Sequence, residues 1–486
     1  MSRTVSAQRV ATLVGDFPRS PAYAGLADRL RVLVGDGRIG LGVRLPSERE
    51  LTAALDVSRT TVTRAYDVLR ESGYAEARRG SGTFTRVPGG RRRAHDKALM
   101  PGAGGEDVID LNCAAHSAPP GLAEAYQRAT EQLPAYLGGP GYFPLGMPAL
   151  QARIAATYDA RGLPTAPEQV MVTAGALAAA SVVARAFTAA GDRVLVESPT
   201  YPNATEALRG SGARLVPATV DPDGWDVDAL AATVRQSAPR LAYLIPDFQN
   251  PTGHLMDDAQ REELAAALAR TRTLAVADEA HQALAHSPAL AASMPRPFAA
   301  HARDAITIGS ASKSFWGGLR LGWVRAPLDQ VDRLLRARVG VDLGAPVFEQ
   351  LVLADLLDHA DEVLPVHRAR LAAGREAVVA AVRQHLPSWR FRVPEGGLAL
   401  WCELPAPLGT AVTEEAARRG VVLAPGPVFA VEGGLDRFVR IPWTSSPESL
   451  TEAVRRLAAA WEHVADTDRP TPGRRGSTGA GRVMVA

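Results

Sequence analysis

The stretch GSASKSFWGGLRLGW, residues 309–323, contains one of the two lysines in a chain that holds 54 lysine and arginine residues in total. The other lysine is Lys97, and every other such basic position is an arginine. Lysine differs from arginine because its amine can lose a proton and attack a carbonyl carbon. Lys313 is therefore a candidate for covalent attachment of a carbonyl compound.

Short apolar runs recur around this stretch, and long alanine-rich segments of helical character separate them. The runs are AITIGS, which leads directly into the lysine stretch, and RVLVES, LAYLIP and TLAVAD. Short buried strands that alternate with helices predict a mostly parallel sheet in an α/β fold. Ligands of such sheets bind at the carboxyl ends of the strands, so the residues after each run form the candidate site.

Polar and aromatic side chains follow these runs. They are Tyr201, Asn250, Asp278, His281, Ser310, Lys313 and Arg320. The run QVMVT is followed instead by a glycine turn and a helix, AGALAAASVVARAF, whose free N–H groups and dipole suit a phosphate. A phosphate cradle, an aromatic ring, a carboxylate and a reactive lysine together predict a pocket for pyridoxal phosphate, a phosphorylated aromatic aldehyde.

Residues 108–465 resemble the fold-type I aminotransferases, which have a large and a small subdomain, and the motifs stand in the family order. The resemblance implies that Lys313 forms the internal aldimine. It also implies that Asp278 pairs with the pyridinium nitrogen, that Asn250 bonds the ring hydroxyl and that Tyr201 stacks on the ring. The phosphate would be held by residues of the glycine turn and of the lysine stretch, namely Gly175, Ala176, Leu177, Ser310 and Arg320.

Two further residues have counterparts in that family. Arg440, in RFVRIPW, matches the arginine that binds a substrate α-carboxylate, a task that suits a forked guanidinium. A structural ion pair is the alternative role for this arginine. Tyr142, in GPGYFPLG, lies where the partner subunit often lends a tyrosine to the cofactor site.

Two departures from the family pattern disfavour efficient transamination without opposing cofactor binding. The family usually has a tyrosine at position 281, which donates to the ring oxygen. Imidazole can also donate, but its charge state changes near neutral pH. The segment TAGALAAA also lacks the polar side chains that are usual in the phosphate loop.

The first 97 residues differ from the rest of the chain in charge. They carry 18 basic and 10 acidic side chains, whereas residues 98–486 carry 36 and 42. A basic N-terminal region on an acidic body indicates that this region meets a polyanion. A solvated arginine-rich domain is the alternative interpretation.

The segment LPSERELTAALDVSRTTVTRAYDVLRESGY, residues 45–74, predicts a helix, a short turn and a second helix. Ser47 and Glu50 form a capping-box pattern at the first helix, and Ser58 can cap the second. Such a pair places its second helix in the major groove of DNA. The following YAEARRGSGTFT alternates and turns through glycines, which predicts a two-stranded wing.

This segment and RRGSGTF closely resemble the GntR-type winged-helix DNA-binding domain, which we assign to residues 15–85. The resemblance implies DNA contacts by Arg49, Ser58, Arg59, Thr60, Thr61, Thr63 and Gly80. For Ser58 a purely capping role is an equal alternative.

The remaining segments carry little chemistry. Residues 86–107 predict a flexible linker and residues 466–486 a disordered tail, because both are rich in glycine, proline and arginine without periodicity. Cys113 and Cys402 are too few for a disulfide framework and have no metal-ligand spacing, so no metal site is expected. No apolar run is long enough for a membrane helix, and the N-terminus lacks the apolar core of a signal peptide. We therefore expect a cytoplasmic protein.

A GntR-type domain joined to an aminotransferase-like body resembles the MocR family of transcriptional regulators. The resemblance implies a homodimer that binds double-stranded operator DNA and senses pyridoxal phosphate, an amino compound, or both, through aldimine formation. An active aminotransferase that carries a DNA-binding domain is the alternative. A sensor of pyridoxal phosphate alone is the third interpretation.

Overall fold

The structure is a computed structural model that describes residues 4–35, 39, 42–78, 80–86 and 108–467. The described residues fall into two compact units. The first holds the N-terminal residues up to position 86 together with residues 118–128, and the second holds residues 108–117 and 129–467. Most of the predicted linker, most of the predicted tail and Lys97 lie outside the described residues.

The first unit contains a helical core with a two-stranded wing. Its elements are α1 (Ala7–Val14), α2 (Ala22–Gly35), α3 (Glu48–Leu55), α4 (Arg59–Glu71), β1 (Ala75–Arg78) and β2 (Gly82–Thr85). Val10 and Val14 of α1 are fully buried in the same apolar cluster as Leu26, Leu51 and Val62. The domain that was predicted to begin at residue 15 therefore has one more helix in its core.

The helix-turn-helix forms where the sequence predicts it. The capping box of α3 is confirmed, because Oγ of Ser47 accepts from the Glu50 N–H and the Glu50 carboxylate accepts from the Ser47 N–H. Asp56 ends α3 in the left-handed region, and Ser58 caps α4 by accepting from the Thr61 N–H. The wing is antiparallel, as its glycine turn predicts.

The second unit is built on a mostly parallel sheet, which confirms the predicted fold class. Within the described residues its strand order is β4-β10-β9-β8-β7-β5-β6, and only β10 runs antiparallel to its neighbours. The strands are β4 (Val170–Thr173), β5 (Arg193–Ser198), β6 (Arg214–Thr219), β7 (Leu241–Leu244), β8 (Leu274–Asp278), β9 (Ile306–Ser310) and β10 (Gly322–Arg325). Their near-continuous burial explains the apolar runs of the sequence.

Helices cover this sheet and continue into a smaller subdomain. The helices of the second unit are α6 (Pro148–Asp159), α7 (Ala176–Phe187), α8 (Pro202–Gly210), α9 (Val227–Ser237), α10 (Asp258–Arg270), α11 (Pro288–Ala292), α12 (Ala311–Ser314), α13 (Leu328–Val339), α14 (Val347–Asp358), α15 (Ala360–His385), α16 (Gly409–Arg418) and α17 (Pro447–Thr467). Helix α5 (Leu122–Gln132) begins among residues of the first unit and ends among residues of the second. None of the helices in the described ranges is long and apolar enough to cross a membrane.

Two short sheets organise the smaller subdomain. They pair β11 (Ala399–Glu403) with β13 (Phe438–Pro442) in antiparallel fashion, and β3 (Ile109–Asp110) with β12 (Val421–Val422) in parallel. A second apolar cluster, which includes Leu400, Ile441 and Leu457, joins these strands to the helices α15 and α17. The pairing of β3 fixes the chain just after the predicted linker.

Candidate functional site

The predicted phosphate cradle lies between the start of α7 and Arg320. Gly175 precedes α7 with a φ of 99°, a conformation that favours glycine. A Cβ atom on Gly175 would lie 3.3 Å from Nη2 of Arg320, so the guanidinium lies beside the helix start. Arg320 is exposed, and its side chain has no hydrogen bond or ion pair among the described residues. A free guanidinium beside unpaired helix N–H groups suits a phosphate.

The other cradle residues are small or act through the backbone. Ala176 and Leu177 form the first turn of α7, and the Leu177 side chain points partly into solvent. Ser310 is buried at the end of β9, where its Oγ accepts from the Ser312 N–H and caps α12. Gly322 of β10 leaves room for this arrangement, because a Cβ atom there would lie only 2.6 Å from the Ala176 nitrogen.

Lys313 lies in the short helix α12, directly after β9. Its Nζ donates to the backbone oxygen of Ala114 at 2.8 Å. Burial lowers the pKa of Lys313, and the positive charges of Arg440 and Arg320 add to the lowering. A lowered pKa raises the fraction of free amine, which is the form that attacks a carbonyl carbon.

Asp278 ends β8 as a buried carboxylate. One of its oxygens accepts from the Ala280 N–H at 3.0 Å, and the other accepts from the hydroxyl of Tyr243. Burial raises the pKa of Asp278, the hydrogen bond from Tyr243 lowers it, and the negative charge of Glu279 raises it. A cation beside this carboxylate would relieve its burial cost, and a protonated pyridine nitrogen is such a cation.

Tyr243 is a site residue that the sequence analysis did not single out. It lies inside β7, in the apolar run LAYLIP, and its side chain is buried. A buried tyrosine hydroxyl needs a hydrogen-bond partner, so a tyrosine in an otherwise aliphatic strand was the available signal. Its partner could not be read from the sequence, because Asp278 lies on the neighbouring strand.

We predict that Tyr243→Phe weakens pyridoxal phosphate binding most at acidic pH. Without the hydroxyl, the pKa of Asp278 rises further, so the carboxylate that balances the ring nitrogen becomes protonated at a higher pH. We expect about tenfold weaker binding at pH 6, since a hydrogen bond to a charged group contributes about 1.5 kcal/mol or more. Cofactor titration between pH 5 and 8 measures the effect.

Tyr158→Phe is the matched control, because the Tyr158 hydroxyl is equally buried but accepts from the Trp323 indole. An equal loss of cofactor affinity at acidic pH in the two variants would contradict a role for Tyr243 in setting the charge of Asp278.

Arg440 lies in β13 and is buried, with 1% of its surface exposed. Its Nη1 donates to Oδ1 of Asn250 at 3.3 Å, and its Nη2 donates to the backbone oxygen of Asn112 at 2.6 Å. The guanidinium also lies over the Phe429 ring, and Nε has no hydrogen-bond partner in the described part of the chain.

No acidic side chain of the described residues forms an ion pair with Arg440, so the structural ion pair offered as an alternative does not occur there. Burial lowers the pKa of Arg440 to about 10. A buried guanidinium without a counter-charge is a site for an anion, and its fork fits a carboxylate.

Asn250 and Tyr201 complete this side of the pocket. Asn250 uses its carbonyl oxygen towards Arg440, which leaves the amide N–H₂ as the donor that a ring hydroxyl requires. Tyr201 directly precedes α8 and is half-buried against the sheet cluster, and its hydroxyl accepts from Asn203. Burial raises the pKa of Tyr201, so the phenol stays protonated at neutral pH.

His281 differs from the donor role that the family position implies. Its Nδ1 lies 2.9 Å from the backbone oxygen of Phe248. A carbonyl oxygen can only accept, so Nδ1 carries the hydrogen. Burial lowers the pKa of His281 to about 4, so the ring is neutral at neutral pH and Nε2 is an acceptor. The imidazole thus presents a lone pair where a tyrosine would present a hydroxyl hydrogen.

Tyr142 is not brought to the pocket within this chain. Its side chain is 65% exposed, whereas the residues of the pocket are buried or partly buried apart from Leu177 and Arg320. A role for Tyr142 therefore requires a second subunit and stays a prediction.

The predicted DNA-contacting residues fall into two groups. Arg49 on α3 and Arg59 and Thr60 on α4 are exposed. The Arg59 side chain is 77% exposed, and its Nε lies 3.6 Å from a Glu48 oxygen. Gly80 is exposed at the wing turn with a φ of 73°.

The hydroxyls of the second group already have partners. Oγ of Ser58 caps α4 and lies 2.8 Å from Oγ1 of Thr61, while Thr63 donates to Glu48 at 2.8 Å. These bonds favour the capping role for Ser58. Arg49, Arg59 and Thr60 are exposed and remain candidates for DNA contact, and that contact stays a prediction.

The residues of the second unit fit pyridoxal phosphate. A buried carboxylate, a lysine with a lowered pKa, a helix start beside a free guanidinium and a buried arginine without a counter-charge would bind the ring nitrogen, carbonyl carbon, phosphate and an attached carboxylate, respectively. Asp278, Lys313, Arg320 and Arg440 supply these groups.

Comparisons with known proteins agree with this architecture. The model of the aminotransferase class I and II family matches residues 119–457, and the model of the gntR family of bacterial regulatory proteins matches residues 22–85. A 2-aminoadipate transaminase of Thermus thermophilus is 32% identical over 306 residues, which are 60% of this chain and 75% of that protein.

A second relative is similar over a larger part of the chain. MocR of Rhizobium meliloti, named a probable rhizopine catabolism regulatory protein, is 29% identical over 413 residues, which are 76% of this chain and 78% of that protein. Among solved structures, LysN, the α-aminoadipate aminotransferase of Thermus thermophilus in complex with N-(5'-phosphopyridoxyl)-L-leucine, has a TM-score of 0.65 at 28% identity. The match covers 74% of this chain and 94% of LysN.

Proposed function

The chain belongs to the aminotransferase class I and II family and carries an N-terminal DNA-binding domain of the gntR family, which is the MocR-family architecture, and from this premise we propose that it is a transcriptional regulator. Its aminotransferase domain would sense pyridoxal phosphate, an amino compound, or both. DNA binding would place the protein in the cytoplasm.

One observation carries the sensor proposal. Arg440 is a buried cation without an acidic partner in the described residues, and it shares a pocket with the amine of Lys313. A carboxylate-bearing amino compound satisfies both groups at once. An α-amino acid is therefore the effector class that we propose, in line with the transaminase relative.

The residues have separate tasks when the cofactor is bound. Pyridoxal phosphate supplies a carbonyl carbon that takes up amines and an electron-withdrawing ring. Asp278 would hold the proton on the ring nitrogen, and Arg320 with the start of α7 would hold the phosphate. Arg440 would orient the carboxylate of an amino compound relative to Lys313.

Sensing requires that the ligand binds two arrangements of the protein unequally. A coupling free energy of about 1–3 kcal/mol between effector and DNA is typical of such systems, which corresponds to about 5- to 150-fold in DNA affinity. His281 supports a sensor over an efficient catalyst, because its neutral ring offers an acceptor where the family uses a donor.

The test of the proposal is fluorescence anisotropy on DNA that flanks this protein's own gene. The wild type with pyridoxal phosphate is compared with the cofactor-free form and with Lys313→Ala, at one stated salt concentration. Specific binding that changes with cofactor or with added α-amino acids supports the proposal. Specific binding that is indifferent to all of them, or no specific binding, contradicts it.

We predict that Arg59→Ala weakens operator binding about tenfold. An arginine that contacts a phosphate or a base edge contributes about 1–3 kcal/mol, and the loss of one phosphate contact also lowers the salt slope by about 1. Anisotropy titrations at several salt concentrations measure both quantities.

Arg64→Ala is the matched control, because Arg64 is exposed on the same helix but its guanidinium lies over the Tyr23 ring. Equal losses in the two variants would indicate a general charge effect and would count against a specific role for Arg59.

The homodimer is part of the proposal, and an apolar surface of the second unit supports it. Exposed apolar side chains lie on two adjoining segments, residues 137–144 and residues 339–343 at the end of α13, and Arg338 of α13 joins them by donating to the Pro144 oxygen at 2.9 Å. These side chains are Leu137, Tyr142, Val339, Val341 and Leu343, with between 47% and 70% of their surface exposed. A second copy that covers this surface would also bring Tyr142 to a neighbouring pocket.

We predict that Leu137→Asp raises the dimer dissociation constant at least tenfold, because a buried interface carboxylate without a partner is costly. Sedimentation velocity over a range of protein concentrations measures the effect. Leu328→Asp is the control, since Leu328 is also exposed but lies at the opposite end of α13 from Val339. A wild type that is monomeric at micromolar concentration would contradict the dimer.

An active aminotransferase is the second candidate function. Lys313, Asp278, Asn250 and Arg440 all permit it, and the relative named as a transaminase supports it. Half-reactions separate the two candidates. Rapid conversion of the bound cofactor to its pyridoxamine form by one amino acid, reversed by a keto acid, would favour the enzyme.

A further inference from the structure

One segment of the second unit holds two of the ligand-binding cations of the pocket, Lys313 and Arg440, through its backbone. We name residues 112–117 the strap. The carbonyl of Asn112 accepts from Nη2 of Arg440 at 2.6 Å, and the carbonyl of Ala114 accepts from Nζ of Lys313 at 2.8 Å. The atoms that would bind a carboxylate and a carbonyl compound are thus the atoms that bind the strap.

The far end of the strap is fixed by side chains. Nε2 of His116 lies 2.9 Å from the backbone oxygen of Lys313, and its ring lies 3.9 Å from the His367 ring, centroid to centroid. His367 also approaches the Lys313 oxygen, at 3.1 Å, and Arg370 donates to Oγ of Ser117 at 2.5 Å.

Ligand and strap compete for the same donors. An ionised carboxylate is a stronger acceptor for a guanidinium than a neutral backbone carbonyl, so a carboxylate that binds through Nη2 would draw this nitrogen away from Asn112. If the Lys313 nitrogen were bonded to a ligand carbon, it would give up N–H donors and be drawn towards the ligand, which would weaken its bond to the Ala114 carbonyl. Both ligands therefore remove hydrogen bonds from the strap.

The position of the strap in the chain connects this competition with the DNA-binding domain. Strand β3 pairs with β12 and fixes the chain immediately before the strap, and the segment that precedes β3 leads to the DNA-binding domain. Residues 118–128, immediately after the strap, group with the first compact unit. The strap is thus held in the second unit on its N-terminal side, and on its C-terminal side it is covalently joined to residues that group with the DNA-binding domain.

We propose that the strap is a latch that opposes ligand binding and is released by it, through the carbonyls of Asn112 and Ala114. This proposal rests on the proposed function, since it supplies the step between the pocket and the DNA-binding domain. It requires that a weaker latch leaves the pocket more available, so the apparent ligand affinity rises. A strap that merely supports the pocket would give the opposite sign.

The test loosens the strap at its far end in the full-length protein. Ser117→Ala removes the acceptor of Arg370, and His116→Phe keeps a ring against His367 but removes both ring nitrogens, which approach the backbone oxygens of Lys313 at 2.9 Å and of Ser117 at 3.0 Å. Affinities are measured for pyridoxal phosphate, which uses Lys313, and for N-(5'-phosphopyridoxyl)-L-leucine, which offers its carboxylate to Arg440. We expect about two- to fivefold tighter binding of both probes, the size of one hydrogen bond.

Hydrogen exchange gives the second readout. Peptides that cover residues 111–117 should exchange faster in both variants than in the wild type, and faster in the wild type when N-(5'-phosphopyridoxyl)-L-leucine is added. Weaker or unchanged binding in both variants overturns the proposal, and so does slower exchange of the strap on ligand addition.

The control variant is Thr410→Ala, which removes an exposed hydroxyl bonded to Asp436, away from the strap. The measurements use no DNA. If the ligands release the strap but do not change operator binding, the result contradicts the proposed function alone. If the ligands change operator binding but do not release the strap, the result contradicts the strap proposal alone.

Discussion

Lys313→Ala is expected to abolish dialysis-resistant binding of pyridoxal phosphate. The buried amine with its lowered pKa is the nucleophile that the pocket offers to a carbonyl carbon, and alanine offers none. The bound-cofactor absorbance should disappear after dialysis. After borohydride reduction of the wild type, the cofactor mass should be found on the peptide that contains residue 313.

Lys97→Ala is the control, because Lys97 is the only other lysine of the sequence. This variant should retain the cofactor and the labelled peptide of the wild type. Retention of the cofactor through dialysis by Lys313→Ala, or a label on the peptide of Lys97, would contradict the assignment. Noncovalent binding through Asp278 and Arg320 should persist in Lys313→Ala, with lower affinity.

The sequence could reveal Lys313 because its chemistry is local. One of only two lysines in an arginine-rich chain, directly after an apolar run, is visible without knowledge of any contact. Asp278 and Asn250 were singled out by the strand-end rule, which converts position along the chain into position in space. The parallel sheet brings these strand ends together, and the prediction did not require the order of the strands.

Other features of the pocket depend on contacts between distant segments and could not be predicted. The tautomer of His281 is set by the carbonyl of Phe248, which lies 33 positions earlier in the chain. The strap contacts Arg440 and Lys313 through backbone oxygens, which every residue has, so nothing in the sequence singled out Asn112 and Ala114. The burial of Tyr243 was visible in its strand, but its bond to Asp278 required the register of two strands.

In the helix-turn-helix too, features within one helix turn were predicted, whereas contacts between separate helices were not. The caps at Ser47 and Ser58 follow from spacing within one helix turn and were predicted. The bond between Thr63 and Glu48 joins two helices, and it changes Thr63 from a free donor into a residue that holds them together. Helix α1 was missed because the eight residues of its apolar pattern are too few to indicate packing on a core.

Arg440→Ala is expected to weaken binding of carboxylate-bearing ligands about 100-fold or more, because two charge-assisted hydrogen bonds are lost in a buried site. Binding of N-(5'-phosphopyridoxyl)-L-leucine should fall by this factor, whereas pyridoxal phosphate, which lacks a carboxylate, should change severalfold at most. Arg440→Lys should recover part of the loss, since it restores the charge without the fork. Titration of both ligands against each variant measures the ratio.

Arg437→Ala is the control for charge alone, because Arg437 lies three residues away, is exposed and donates to the backbone oxygens of Leu404 and Pro405. The same variants decide between the two sensor interpretations. If α-amino acids change operator binding by the wild type but not by Arg440→Ala, this arginine recognises the carboxylate of the amino acid. If Arg440→Ala responds to pyridoxal phosphate as the wild type does, and no amino acid adds to that response in either protein, the cofactor itself is the effector and Arg440 has no part in sensing.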